Sequence, residues 1–89
     1  MRTRVGFNPI PTKREFDVLY CVARDMTNPE IAEELHITEG TVKQHIRNLF
    51  DRMCVHTRTG LIIAALLKGH IKLEDLSITS EGLIDGVHR

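Results

Sequence analysis

What the sequence has little of narrows its role first. It carries no net charge, with twelve Lys and Arg set against twelve Asp and Glu. That excludes a cationic blanket over nucleic acid and leaves room only for a local patch. Its two cysteines, Cys21 and Cys54, are too few for the disulfide framework of a small secreted domain. No N-terminal apolar run of signal-peptide type is present, and the longest apolar stretch, LIIAALL at 61–67, is far short of the roughly twenty residues that a membrane span needs. The expectation is a cytoplasmic protein with no membrane partner. Also missing are a glycine-rich phosphate loop, a nucleophile motif, a carboxylate pair in an identifiable pocket and any internal repeat. The chain is therefore expected to be non-enzymatic and to need no cofactor. Its 89 residues make one small domain, which buries only about 60 to 65 % of the surface that the unfolded chain exposes, so a dimer contact would add appreciable stability.

What is there is helical patterning with clear start signals. Residues 1–11 contain Gly6, Pro9 and Pro11, carry Arg2 and Arg4, show no period and read as a basic arm. Thr12-Lys13-Arg14-Glu15 has the pattern of a capping box, in which the Thr hydroxyl accepts from the amide three residues on and the Glu reaches back to the cap's own amide. Phe16, Leu19, Tyr20 and Ala23 then share one face of a first helix running to about Arg24. Thr27-Asn28-Pro29-Glu30 repeats the logic, with Pro29 in the first turn, where a missing amide hydrogen costs nothing. Ile31, Ala32 and Leu35 form the inward face of a short second helix, and His36 and Ile37 make the turn. Thr38 caps a third helix running to about Met53. Thr57 or a neighbour starts a fourth, which stops at Gly69, a residue suited to a left-handed helix end. Residues 72–89 contain Gly82 and Gly86, lean acidic and read as a C-terminal tail. The fold class is all-α, with the globular part at 12–71.

At about 100° per residue, Val42, Ile46, Leu49 and Met53 of the third helix fall in one narrow stripe, which must be buried. Gly40, Gln44, Arg47 and Asp51 lie opposite, with Lys43 on one flank and Thr41 and Asn48 on the other. The outer face is thus cationic and amide-rich over its first two turns. Ala32 supplies a small side chain where two helices joined by a short turn must cross closely, and Ile37 anchors the turn. This is the physical pattern of a helix-turn-helix. Lys43 and Arg47 can donate to guanine O6 and N7 in a major groove, and Gln44 can pair with adenine N6 and N7. The helix N-terminus and the Thr hydroxyls suit phosphates. The balancing acid lies elsewhere, on Glu30, Glu33, Glu34 and in the tail.

The fourth helix poses a separate question, because 61–67 are apolar around the full circumference and need cover on more than one side. Leu61, Ala64 and Ala65 are expected to face the other helices. Ile62, Ile63, Leu66 and Leu67 then seek a partner, and a two-fold homodimer would supply one. The competing cover is the chain's own tail, through Ile71, Leu73, Leu76 and Ile78. His45 lies about 60° from the apolar stripe and reads as a packing residue. A zinc site from His45, Cys54 and His56 lacks the paired spacing of zinc modules, so no metal is expected. Cys21 reads as buried and inert.

From Thr12 to Ile71 the chain resembles the LuxR-type helix-turn-helix domain, also found in spore-germination regulators and NarL-class response regulators. The resemblance is carried by TKREFDVL at 12–19, TNPEIAEELHITEGTVKQHI at 27–46, Val55, Arg58 and AALLKGHI at 64–71. It implies a four-helix domain of a bacterial transcriptional regulator whose third helix, about 39–53, enters the major groove of double-stranded DNA, with the fourth helix available for dimer contacts. Carried over by position, Lys43, Gln44 and Arg47 face base edges, and Thr38, Thr41 and Asn48 lie near the DNA backbone. RNA polymerase becomes a candidate partner, and the bacterial cytosol or nucleoid the location. Two positions depart from the family pattern: Asp25 stands where the first helix usually ends in glycine, and Pro11 replaces the apolar residue before the Thr12 cap. Two alternatives stay open. One is an interaction module, such as an antagonist pairing with a larger regulator of the same family. The other is a promoter-reading region like that of a sigma factor.

Overall fold

A computed structural model describes residues 8–76. The arm's Arg2 and Arg4, and the tail beyond Leu76 with Ile78, Glu81, Gly82, Asp85 and Gly86, lie outside the described residues. Four α-helices follow one another, α1 Lys13–Ala23, α2 Asn28–Leu35, α3 Glu39–Met53 and α4 Arg58–Leu67, and a single 3-10 turn at Leu73–Asp75 comes after them. No strand occurs among the described residues, so the fold is an all-α helix-turn-helix domain.

Every α-helix starts in the same way. Thr12, Thr27, Thr38 and Thr57 are extended at the cap, and each hydroxyl accepts from the amide three residues on. Glu15 and Glu30 complete reciprocal boxes through the amides of Thr12 and Thr27, at 3.0 and 2.8 Å. Caps of this kind are worth about 1 kcal/mol each. Gly60 belongs to the last of them, since a Cβ there would lie 3.0 Å from the Thr57 hydroxyl.

The helices also end alike. Asp25, His36, Cys54 and Gly69 have φ of 64°, 59°, 58° and 79°. The residue after each one donates back across the turn, Met26 to Cys21, Ile37 to Ala32, Val55 to Phe50 and His70 to Ala65, at 2.8 to 3.2 Å. This is the Schellman arrangement, which satisfies carbonyls at the helix end. Met26, Ile37 and Val55 then pack against the core. Asp25 thus takes a left-handed conformation at a position that is not glycine, and Pro11, before the Thr12 cap, is buried.

The core is built around α3. Val42, Ile46, Leu49 and Met53 are buried as the stripe predicts, against Val18, Leu19 and Val22 of α1, Ile31 and Ala32 of α2, and Leu61 and Ala65 of α4. The α1 face differs from expectation. Phe16 is only half-buried and Tyr20 is exposed; the two rings stack at 6.3 Å, and Phe16 meets His70 edge-on at 5.4 Å. The helix is apolar over most of its circumference, and the compact Val18 and Val22 fill the crevice while the rings sit at its rim. Leu61 and Ala65 are fully buried on α4, but Ala64, Ile62 and Leu66 are partly covered. Ile63 and Leu67 stand out, 52 % and 83 % exposed. Beyond α4, Ile71 is buried and Leu76 packs partly against the core, whereas Leu73 is exposed. Among the described residues, then, the chain after α4 leaves Ile63 and Leu67 uncovered.

Candidate nucleic-acid interface

The turn between α2 and α3 sets the geometry of the outer face. His36 leaves α2 left-handed, Ile37 drops into the core, and Thr38 starts α3 at once. The start of α3 is therefore fixed to the body yet open to solvent. The Thr38 hydroxyl accepts from the Thr41 amide at 3.1 Å and shares a 2.9 Å hydrogen bond with the Thr41 hydroxyl. Thr38, Glu39, Gly40, Thr41, Lys43, Gln44 and Arg47 are all exposed. Nothing lies within 3.8 Å of a Cβ built on Gly40, so packing inside the protein does not demand a glycine there. Gln44 and Arg47 lie opposite the buried stripe of α3, with Lys43 on their flank, and all three are exposed.

Asn48 sits differently, half-buried at the edge of this face. Its Oδ1 accepts from Gln44 Nε2 at 3.1 Å, and its Nδ2 donates to Glu15 Oε2 at 3.3 Å. Glu15 is 2 % exposed, the one buried charged residue among those described. Arg52 meets it with Nε on Oε1 at 2.6 Å and Nη2 on Oε2 at 3.4 Å, and also donates to the Asn8 carbonyl. Burial alone would raise the Glu15 carboxyl. The Arg52 hydrogen bond, the Thr12 amide, the Arg52 charge and Asn48 together hold it below its ordinary 4.5. Sequence reasoning saw Glu15 only as a capping residue and passed over Arg52, because their meeting depends on how α1 packs against α3.

A second clamp lies at the other end of the motif. Arg58, in the first turn of α4, donates to Asn28 Oδ1 at 3.0 Å and to the Met26 carbonyl at 2.6 Å. It thereby ties α4 to the start of α2. On α2, Glu30, Glu33 and Glu34 line an open hollow with Met26 and His36.

The remaining candidates stay apart. His45 is half-buried, and its Nδ1 is buried with no hydrogen-bond partner. Cys54 and His56 are exposed, and among the described residues no group of three or more His, Cys, Asp or Glu is arranged to hold a metal ion. Cys21 is buried, and its thiol is raised by burial and then by the Glu34 charge, which disfavours the reactive thiolate. No helix among the described residues is long and apolar enough to cross a membrane.

Comparison with known proteins converges on one group. The family described as bacterial regulatory proteins, luxR family, matches residues 11–65. The spore germination protein GerE of Bacillus subtilis is 38 % identical over 65 residues, which cover 73 % of this chain and 88 % of GerE. The transcriptional regulatory protein LiaR of the same organism is 44 % identical over 64 residues, covering 67 % of this chain and 30 % of LiaR. LnrK, another transcriptional regulatory protein of that organism, is 43 % identical over 58 residues, covering 65 % of this chain and 26 % of LnrK. The chain thus spans nearly all of one relative and under a third of the other two.

Proposed function

Because the chain belongs to the luxR family of bacterial regulatory proteins, we propose that it is a sequence-specific double-stranded DNA-binding module of a transcriptional regulator. The observation that carries this reading is the outer face of α3. Two cations and an amide, Lys43, Arg47 and Gln44, stand exposed on a helix whose opposite stripe is buried, and a turn with a left-handed exit projects its N-terminus. In the groove, Lys43, Gln44 and Arg47 read base edges. Thr38 and Thr41 hold the backbone phosphates at the helix start with Asn48 nearby, and a helix N-terminus favours anions there.

Pairing of two copies through Ile62, Ile63, Leu66 and Leu67 sets two such helices in successive major grooves, about one DNA turn apart. The unit that binds is 12–71, flanked by the 1–11 arm and the 72–89 tail. In this reading the chain acts in the bacterial cytoplasm, alongside RNA polymerase, and has no catalytic role. The exposed pair Ile63 and Leu67 also favours a second reading, an antagonist that pairs with a larger regulator of the family and does not touch DNA.

Selection from a random duplex pool, followed by titration at low and moderate salt, separates the two. A DNA-binding module enriches a defined site, and its affinity falls with salt as phosphate contacts release counterions. An antagonist enriches nothing. If the protein with Lys43, Gln44 and Arg47 all changed to Ala still bound its selected site at unchanged affinity, the groove assignment would be wrong.

A further inference from the structure

We propose that Glu15 is a positioning residue for base reading: its buried carboxylate orients the Asn48 amide, Asn48 orients the Gln44 amide, and Gln44 is thereby committed to adenine. The inference rests on the reading of α3 as the helix in the groove and adds the base that one of its side chains selects.

The chain of contacts is short and has a direction. Ionised, Glu15 can only accept, and its two oxygens already take the Thr12 amide and the Arg52 guanidinium. Whatever else meets it must donate. Asn48 therefore turns its Nδ2 to Glu15, at 3.3 Å, and cannot turn its Oδ1 there. Its Oδ1 then faces Gln44, which must answer with an N–H, at 3.1 Å. One amino hydrogen of Gln44 is used in this way, leaving its Oε1 and the second hydrogen side by side at an exposed position. An acceptor next to a donor matches the N6 and N7 edge of adenine in the major groove. Turned the other way, Gln44 would offer its amino group to the groove and suit the O6 and N7 acceptors of guanine. An isolated Gln on a helix surface can present either end. Here the choice is made two hydrogen bonds away, by a carboxylate buried beneath the exposed face.

Nothing else in the fold requires Asn48 to donate to Glu15. Arg52 and the Thr12 amide already compensate the charge, and Asn48 comes last among the groups that lower the carboxyl. Its consequence is outward, on the side chain at the exposed face.

The test is selection from a random duplex pool with four proteins: wild type, Gln44→Ala, Asn48→Ala and Glu15→Gln, each checked as folded by circular dichroism at the selection temperature. Wild type is expected to require adenine at one position. Gln44→Ala loses that requirement, with discrimination falling by roughly tenfold. Asn48→Ala and Glu15→Gln lose it at the same position and there gain guanine; with Glu15→Gln, whose site is buried away from the DNA face, preferences at the other base pairs and the slope against salt stay unchanged. Should Glu15→Gln fail to fold, Asn48→Ala decides, because it keeps the ion pair of Glu15 with Arg52. If Gln44→Ala relaxes one base pair and Asn48→Ala leaves that pair as selective as wild type, or weakens all sequences alike, Asn48 acts on the phosphates and the positioning role is overturned. If Gln44→Ala changes no base preference at all, Gln44 does not read DNA, and the assignment beneath the inference falls with it.

Discussion

Two regions of this domain break the usual partition of side chains, and in opposite senses. Between α1 and α3 a carboxylate is buried; on the outer side of α4 two large apolar side chains are left in water. The first departure is resolved within the chain. Glu15 is met by Arg52, Asn48 and the Thr12 amide, so each Glu15 oxygen has a partner. The second is not resolved by any described residue, since Ile71 and Leu76 turn to the core and leave Ile63 and Leu67 exposed. A buried charge with a full set of partners is a statement about internal geometry. An exposed apolar pair calls for a cover that the described residues do not supply.

The contrast breaks most visibly at Arg52. Changing it to Ala leaves the Glu15 carboxylate buried without its cation, which is expected to cost about 3 to 5 kcal/mol at neutral pH. Urea unfolding measures it. If the loss is under about 1 kcal/mol, the ion pair behaves like a surface one and the buried-charge description is wrong. Replacing both residues, Glu15→Met with Arg52→Met, should recover most of that stability. What remains is the lost cap on Thr12, about 1 kcal/mol.

Acid probes the same region without a mutation. The folded-state value of Glu15 lies below its ordinary 4.5, so its contribution is fully present above that value and is lost as pH falls through the lower folded-state one. Stability of the wild type should therefore decline below about pH 4.5 more steeply than that of the doubly replaced protein. Parallel acid profiles would show that Glu15 gains nothing from its surroundings.

The smallest effect on folding, and the one that sharpens the α4 side, comes from comparing neighbours. Leu66 packs partly against the core, so Leu66→Glu is expected to destabilise the monomer by about 1 to 3 kcal/mol. Leu67 is 83 % exposed, so Leu67→Glu should change monomer stability by no more than about 0.5 kcal/mol yet abolish any pairing seen by sedimentation. A wild type that stays monomeric at high micromolar concentration, both off and on its selected DNA, would remove the dimer.

How much of this was legible in the sequence follows from how local each signal is. The caps at Thr12, Thr27 and Thr38 were readable because a cap is decided within four residues, Thr57 only as one of several neighbours, and the buried stripe of α3 was readable because its other side is polar. The face of α1 was harder: Phe16, Val18, Leu19, Tyr20 and Val22 leave no clear polar side, and packing chose the two valines. Of the candidate site, the exposed position of Lys43, Gln44 and Arg47 followed from the period. The contacts of Asn48 did not, because Glu15 lies 33 residues away along the chain and comes within reach only once α1 is docked. Asp25 shows the converse. Its left-handed turn is demanded by the Schellman geometry, and an aspartate at the site hid a turn that a glycine would have advertised.

The Arg58 clamp has a mechanical consequence. By holding Met26 and Asn28, it makes the helix with the exposed apolar pair and the start of the helix-turn-helix a single lever. A dimer hinged on α4 would then behave as a fixed caliper. Adding one base pair between half-sites shifts one of them by about 3.4 Å and turns it by about 34° around the duplex. A rigid caliper cannot follow that change, whereas one loosened by Arg58→Ala could, at some cost in affinity for the original spacing.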